Sequence, residues 1–371
     1  MSVHDISDLI AISRRYGADS RFVMLGGGNT SKKIDDVMYV KASGHALATI
    51  GEEGFVAMDL GKLGAIWNKA YPTDVDEREK AVLQDMMDAR CEGETARPSV
   101  EALLHSFIPF SYVVHLHPAM VNGLTCGQSG KGAMEKLFPE AMWIPLVNPG
   151  YILAKTVRDA QQEYLEKWGN PPSMIFLQNH GVFVAADSID GIERLYDQIM
   201  DTLNHSVIRK PNFMAVKVDT TRAMIVQKAM RSHFGDKKDY PMVANRELAN
   251  RLEDLEAFSS LSSAYTPDHI VYSGFKPLWV EDSVFDGKEP VDAMVSKLKE
   301  YETSYGVPPK VVAVQNTAAF AISEAALSLF IDTIKVAVFT ESFGGPRFMD
   351  DDQIEFIRTW EVEQYRSKMN S

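Results

Sequence analysis

Two histidines one residue apart, His115 and His117 in the run VVHLHP, are the first residues in this 371-residue sequence whose spacing suggests chemistry. Side chains alternate across an extended strand, so positions i and i+2 project from one face and bring two imidazoles to one place. A catalytic zinc site takes three protein ligands and leaves a fourth position open for water or substrate. His180, in LQNHGVF, is the candidate third donor, because Gly181 beside it lets the backbone turn sharply next to a metal.

Glu101 opens a helical stretch that leads directly into the histidine strand. A carboxylate there can be a fourth ligand at rest or, once substrate displaces it, a general base. The segment LGGGNTSKK adds an anion-binding candidate. Its three glycines, followed by Asn29, Thr30 and Ser31, bend so that backbone N–H groups and small hydroxyls converge. Ser43 and Gly44 of KASG and Ser99 line the same pocket in this reading, with Lys32 or Lys33 adding charge. His105, one helical turn after Glu101, either orients that carboxylate or packs. Lys41 in YVKASG is the reasonable nucleophile if the chemistry were a Schiff base instead.

The elements that must position these groups are legible in outline. Residues 7–16 have helical apolar spacing, and RFVMLGG and VMYVKASG read as strands joined by tight turns. Helices are expected over 74–91 and 99–108, the second started by Pro98. SYVVHLHP, MWIPLV and SMIFLQNHGVFVAA read as strands, followed by a long amphipathic helix from Ile189 to Lys210. Beyond a first domain spanning residues 1–215, strands at DHIVYS, PKVVAVQ and KVAVFT alternate with helices near 289–302 and 322–333. This alternation predicts a smaller α/β domain over 216–371 with a short parallel βαβαβ sheet. Neither GxGxxG nor a phosphate loop is present, and no internal repeat or low-complexity segment stands out.

Bulk properties narrow the class. A net charge of −13 repels phosphate backbones and anionic lipid, which argues against nucleic acid and membrane surfaces as partners. No stretch reaches the ~20 apolar residues of a membrane span, and the N-terminus lacks the apolar core of a secretory signal. Only Cys91 and Cys126 occur, so no disulfide framework is available and a cytoplasmic location is expected.

The order GGGNTS, YVKASG with HALATI, PSVEALLH, VVHLHP and QNHGVF resembles the class II aldolase and adducin family over residues 8 to about 210. The nearest likeness is to the aldolase module of bacterial rhamnulose-1-phosphate aldolase and lactaldehyde dehydrogenase fusions, and it continues weakly to the WEVEQY segment. The resemblance implies an α/β fold, a central sheet flanked by helices in three layers. It also implies a divalent cation, Zn²⁺ first with Mn²⁺ or Co²⁺ as alternatives, on His115, His117 and His180, with Glu101 as the catalytic acid. It puts the anion-binding loop on Gly28 and Asn29 and the second turn on Ser43 and Gly44. Many members have two serines ahead of the glutamate, and here the pair is Ser99 and Val100. The implied reaction is reversible cleavage of a ketose phosphate to dihydroxyacetone phosphate and a short aldehyde through a metal-stabilised enediolate. Decarboxylation and 4-epimerisation of sugar phosphates are close alternatives. Adducin-like members keep the fold without the ligands and act as binding proteins, whereas this sequence retains all three histidines and the glutamate. A homo-oligomer, with a tetramer favoured, and a small sugar phosphate are the implied partners.

Overall fold

The computed structural model describes residues 5–235 and 239–360. They form two compact units, one of residues 5–125 and 129–206 with Trp360, the other of residues 126–128 and 207–359. The WEVEQY segment lies, apart from Trp360, outside the described residues.

In chain order the first unit contains α1 (Ser7–Gly17), β1 (Asn29–Ile34), β2 (Val37–Lys41), β3 (Phe55–Asp59), α2 (Leu60–Ile66), α3 (Val75–Asp88) and α4 (Ala102–Phe107). There follow β4 (Tyr112–Leu116), α5 (Ala119–Thr125), α6 (Gly130–Leu137), β5 (Met142–Ile144), α7 (Tyr151–Trp168), β6 (Met174–Leu177), β7 (Gly181–Ala186) and α8 (Ile189–Ser206). The strands make one seven-stranded sheet in the order β3-β2-β1-β4-β7-β6-β5. Its centre is β4, every residue of which is buried, antiparallel to β1 on one side and β7 on the other.

Alternation along β4 assigns its faces. Val113 joins the core built with α2, α3, α4 and α7, together with Phe183, Met38 and Val40. Val114 faces the opposite way, where the Tyr196 hydroxyl of α8 donates to its carbonyl at 3.0 Å and Tyr16 of α1 tilts against Tyr196. Helices thus cover both faces of the sheet, the α/β architecture expected. RFVMLGG is an exception: the segment is turns and coil, with Leu25 at φ +52°, a conformation no strand accommodates.

The second unit contains α9 (Thr220–Phe234), β8 (Met242–Val243), α10 (Arg246–Arg251), α11 (Leu255–Phe258), α12 (Pro267–Tyr272), β9 (Leu278–Val280), α13 (Pro290–Tyr305), β10 (Val311–Val314), β11 (Ala318–Ala321), α14 (Glu324–Thr340) and α15 (Asp351–Thr359). Two expected strands are helical here. DHIVYS lies largely in α12, started by a Thr266 cap and Pro267 in the first turn, and KVAVFT is the end of α14. A short apolar run has no period of its own and fits a buried helix as well as a strand. The four-stranded sheet, in the order β8-β11-β10-β9, is therefore mixed. The β9–β10 pair is parallel, while β10–β11 and β11–β8 are antiparallel.

This sheet repeats half of the first one. The order β8-β11-β10-β9 matches β4-β7-β6-β5 with every pairing direction kept. In sequence, Gly169, Pro171, Pro172, Gln178, Asn179 and Phe183 fall without a gap opposite Gly306, Pro308, Pro309, Gln315, Asn316 and Phe320. Gly169 and Gly306 end α7 and α13 in the same left-handed conformation, at φ +76° and +71°. Asn179 and Asn316 share φ +56° and +53°, and their N–H groups donate to the equivalent carbonyls of Thr125 at 3.2 Å and Leu252 at 2.9 Å. Contrary to the sequence reading, then, the chain does contain an internal repeat. Among the described residues, no helix is long and apolar enough to cross a membrane.

Candidate metal centre

Three imidazoles meet at the end of β4. The Nε2 atoms of His115 and His117 lie 2.9 Å apart, and that of His180 is 3.4 Å from the first. One ligand atom from each of the three lies within 4.8 Å of the others. Strand alternation sets the first two, while His180 arrives from the turn joining β6 to β7, where Asn179 takes the left-handed conformation that asparagine tolerates. Gly181 is required there: a Cβ on it would stand 2.5 Å from the Leu116 carbonyl oxygen and 2.7 Å from His117 Cδ2.

The ring of His115 is fixed from two sides. Its Nδ1 lies 3.0 Å from the Val182 carbonyl oxygen, and its plane stacks on Phe183 at 4.0 Å and 11°. A carbonyl only accepts, so Nδ1 carries a proton, which leaves Nε2 as the ring's available ligand atom. Sequence reasoning missed both partners. The signal for them was the apolar GVF run after the NH pair, which pairs with VVHLH, so that Phe183 falls opposite His115.

Glu101, at the N-cap of α4, completes the cluster. Its Oε1 is 3.2 Å from His115 Nε2 and 3.8 Å from His180 Nε2. Burial pushes its carboxyl up, but the His115 ring beside it, and after it His180, outweighs that and holds it well below the usual carboxylate range. A carboxylate oxygen and the ring nitrogens crowded around one point call for positive charge between them, and a bound cation would supply it. The donor set therefore fits a divalent ion, and its nitrogen character suits zinc.

Beside this cluster lies a polar lattice. Asn29 Nδ2 donates to Ser99 Oγ at 2.7 Å and to Glu101 Oε2 at 3.2 Å, and the Glu101 N–H reaches the same Ser99 oxygen at 3.3 Å. Asn29 is 1% exposed and its Oδ1 has no hydrogen-bond partner among the described residues. Gly28, at φ +74°, passes close to the His115 carbonyl oxygen, which a Cβ would approach to 3.1 Å. The Ser43 hydroxyl donates to the Pro98 carbonyl at 3.1 Å, and Gly44 follows it at φ +86°.

Three sequence expectations are corrected here. The Thr30 hydroxyl is 2.7 Å from that of Ser13 on α1, because alternation along β1 turns it to the face opposite Asn29. Ser31 shares the Asn29 face, but its hydroxyl pairs with His105 Nδ1 at 2.8 Å. Burial drives His105 down to about 3, so it is a neutral ring at ordinary pH. Lys32 is tied to Asp8 at 2.7 Å, and Lys33 donates to the Ile108 and Phe110 carbonyls at 2.8 and 3.1 Å, so neither adds charge to the site.

The family described as Class II Aldolase and Adducin N-terminal domain matches residues 7–197. The uncharacterized oxidoreductase YuxG of Bacillus subtilis strain 168 is 25% identical over 308 residues, covering 74% of this chain and 42% of that relative's length. The chain thus spans less than half of that curated relative. Among solved structures, the N-terminal class II aldolase domain of a conserved Thermoplasma acidophilum protein is 25% identical with a TM-score of 0.46, covering 55% of this chain and 94% of that one. An L-fuculose 1-phosphate aldolase is 16% identical with a TM-score of 0.38, covering 65% of this chain and 94% of that one.

Proposed function

This chain belongs to the class II aldolase and adducin family, and from that premise we propose that it is a metal-dependent carbon–carbon lyase acting reversibly on a ketose phosphate. The substrate in this reading is rhamnulose 1-phosphate-like, and the products are dihydroxyacetone phosphate and a short aldehyde. The carrying observation is the convergence of three imidazole nitrogens and one carboxylate at the end of a buried strand.

His115, His117 and His180 are the proposed ligands. A divalent cation bound there supplies Lewis acidity, the electron sink that cleavage beside a carbonyl requires. Glu101 handles the proton: in the synthetic direction it takes the C–H proton of dihydroxyacetone phosphate, a task that its ionised form suits. Asn29 and Ser99 aim that carboxylate through the bonds they make to it and to each other. Gly28, Asn29, Ser43 and Gly44 are assigned to the substrate's anionic end, and Ser31 to a supporting role through His105. Residues 1–215 carry the catalysis in this proposal and residues 216–371 do not, which is supported by the absence of the three histidines from the repeated sheet. A homo-oligomer, tetrameric by family resemblance, belongs to the same proposal.

The test is Glu101→Gln with products followed by NMR. The variant is expected to keep its metal, read by elemental analysis, while kcat on ketose 1-phosphates falls about 10²–10⁴-fold. Release of CO₂, or an inverted hydroxyl in place of an aldehyde, would overturn lyase chemistry in favour of decarboxylation or epimerisation. Turnover that survives EDTA, with borohydride trapping substrate on Lys41, would replace the metal route with a Schiff base.

A further inference from the structure

The repeated half-sheet in the second unit has lost every metal ligand. Met242 stands opposite Phe320 as His115 stands opposite Phe183, which carries the next positions onto Ala244 for His117 and Thr317 for His180. A thioether, a methyl and a hydroxyl do not assemble a zinc site. Yet the same end of the sheet is not filled in. A cavity of about 520 Å³ opens there, with Thr317 and Asn316 among its walls. That volume lies within the range of small-molecule sites.

The other walls have charges of a particular kind. Lys217 and Arg246 both line the cavity, with Asn250 and Glu253. The 212–217 segment is held against the β8–α10 junction by the Arg246 N–H donating to the Met214 carbonyl at 2.9 Å, and by a bridge between Ala215 and Asn245. In the first unit the Phe22 carbonyl meets the His117 N–H at 3.3 Å in the corresponding place. Neither Lys217 nor Arg246 has an ion pair or side-chain hydrogen bond with a described residue. Nearby arginines of the same unit are satisfied: Arg209 binds Glu247 and Glu341 at 2.8 and 2.7 Å, and Arg251 binds Glu341 at 2.8 Å. Both side chains are exposed on the one cavity, and a dianion fits the pair.

We propose that this cavity, the counterpart of the active site in the repeated half-sheet, is a second, metal-free binding site for a small phosphorylated polyol. Lys217 and Arg246 take the phosphate, while the Asn250 amide, the Glu253 carboxylate and the Thr317 hydroxyl meet the polyol's hydroxyls. The inference does not depend on the reaction assigned to the first unit.

Isothermal titration of the EDTA-treated full chain with fructose 1-phosphate, with inorganic phosphate and with fructose tests it in three proteins. These are the wild type, Lys217→Glu/Arg246→Glu, and Asn29→Asp/Ser43→Asp, which places carboxylates in the first unit's anion pocket. The expected result is a phosphate-dependent binding step that Asn29→Asp/Ser43→Asp retains and Lys217→Glu/Arg246→Glu weakens at least about 10-fold. The Lys217→Glu/Arg246→Glu variant should keep wild-type metal content, which reports an intact first unit, and an unchanged circular dichroism spectrum. An unaltered isotherm in that variant would overturn the proposal. So would loss of all binding in Asn29→Asp/Ser43→Asp, or the absence of binding to any of the three proteins.

Discussion

The half-sheet β4-β7-β6-β5 and the half-sheet β8-β11-β10-β9 have the same order, the same pairing directions and the same left-handed asparagine at one turn. One presents three imidazoles and the other presents Met242, Ala244 and Thr317 at the matching places. The backbone is therefore the constant and the chemistry the variable, as expected when function lives in a site grafted onto a fold. Gly181 and Ala318 extend the contrast to a non-ligand position. A Cβ at residue 181 collides with the Leu116 carbonyl and the His117 ring, whereas the copy, which has no ring at Ala244, holds an alanine.

The largest effect that sharpens this comparison comes from the paired phenylalanines. Phe183 and Phe320 are both fully buried, so truncating either to alanine should cost about 3–5 kcal/mol in urea unfolding. Only Phe183 stacks on a histidine of the proposed metal site. Phe183→Ala is thus expected to weaken metal binding as well, and Phe320→Ala to leave it alone. Equal losses of metal in both variants would break the comparison. Next in size is Gly181→Ala, which should lower metal affinity about 10–100-fold by displacing His117, an effect of the size seen when groups supporting a ligand are disturbed. Ala318→Gly, measured the same way by competition with a chelator, should leave metal affinity unchanged.

Much of the first unit was legible because its signals are local. HxH on a β-branched run, a glutamate opening the preceding helix and a glycine after the third histidine gave the cluster its members. What was not legible depended on which face a residue takes. Thr30 and Ser31 have the residue types of an anion loop, and only the β1 register shows that one meets Ser13 and the other His105. In the second unit, DHIVYS and KVAVFT are short apolar runs, and α14 is buried around most of its circumference, so no amphipathic period distinguished helix from strand. The repeat escaped notice for a related reason. What it conserves is turn chemistry, glycine and prolines and the Gln-Asn pair, while the chemistry-bearing histidines that draw the eye are the residues it has lost.

The smallest predicted effect tests the backbone half of the comparison alone. Asn179 and Asn316 both sit at positive φ, where a β-carbon is costly and asparagine and glycine are tolerated. Replacing either with alanine also removes its side-chain bonds, such as the 2.7 Å bond from Asn316 Nδ2 to Asp282, so alanine alone confuses two losses. Glycine removes the same bonds but keeps the left-handed turn available. The stability difference between the alanine and glycine variants therefore isolates the strain, and it should be about 1 kcal/mol at each site, glycine the more stable. If the two turns are one inherited device, residues 179 and 316 must give the same difference even though only the first adjoins a proposed metal ligand. A difference confined to residue 179 would mean that the turn is shaped by His180 and the site, and that the likeness of the two half-sheets ends short of it.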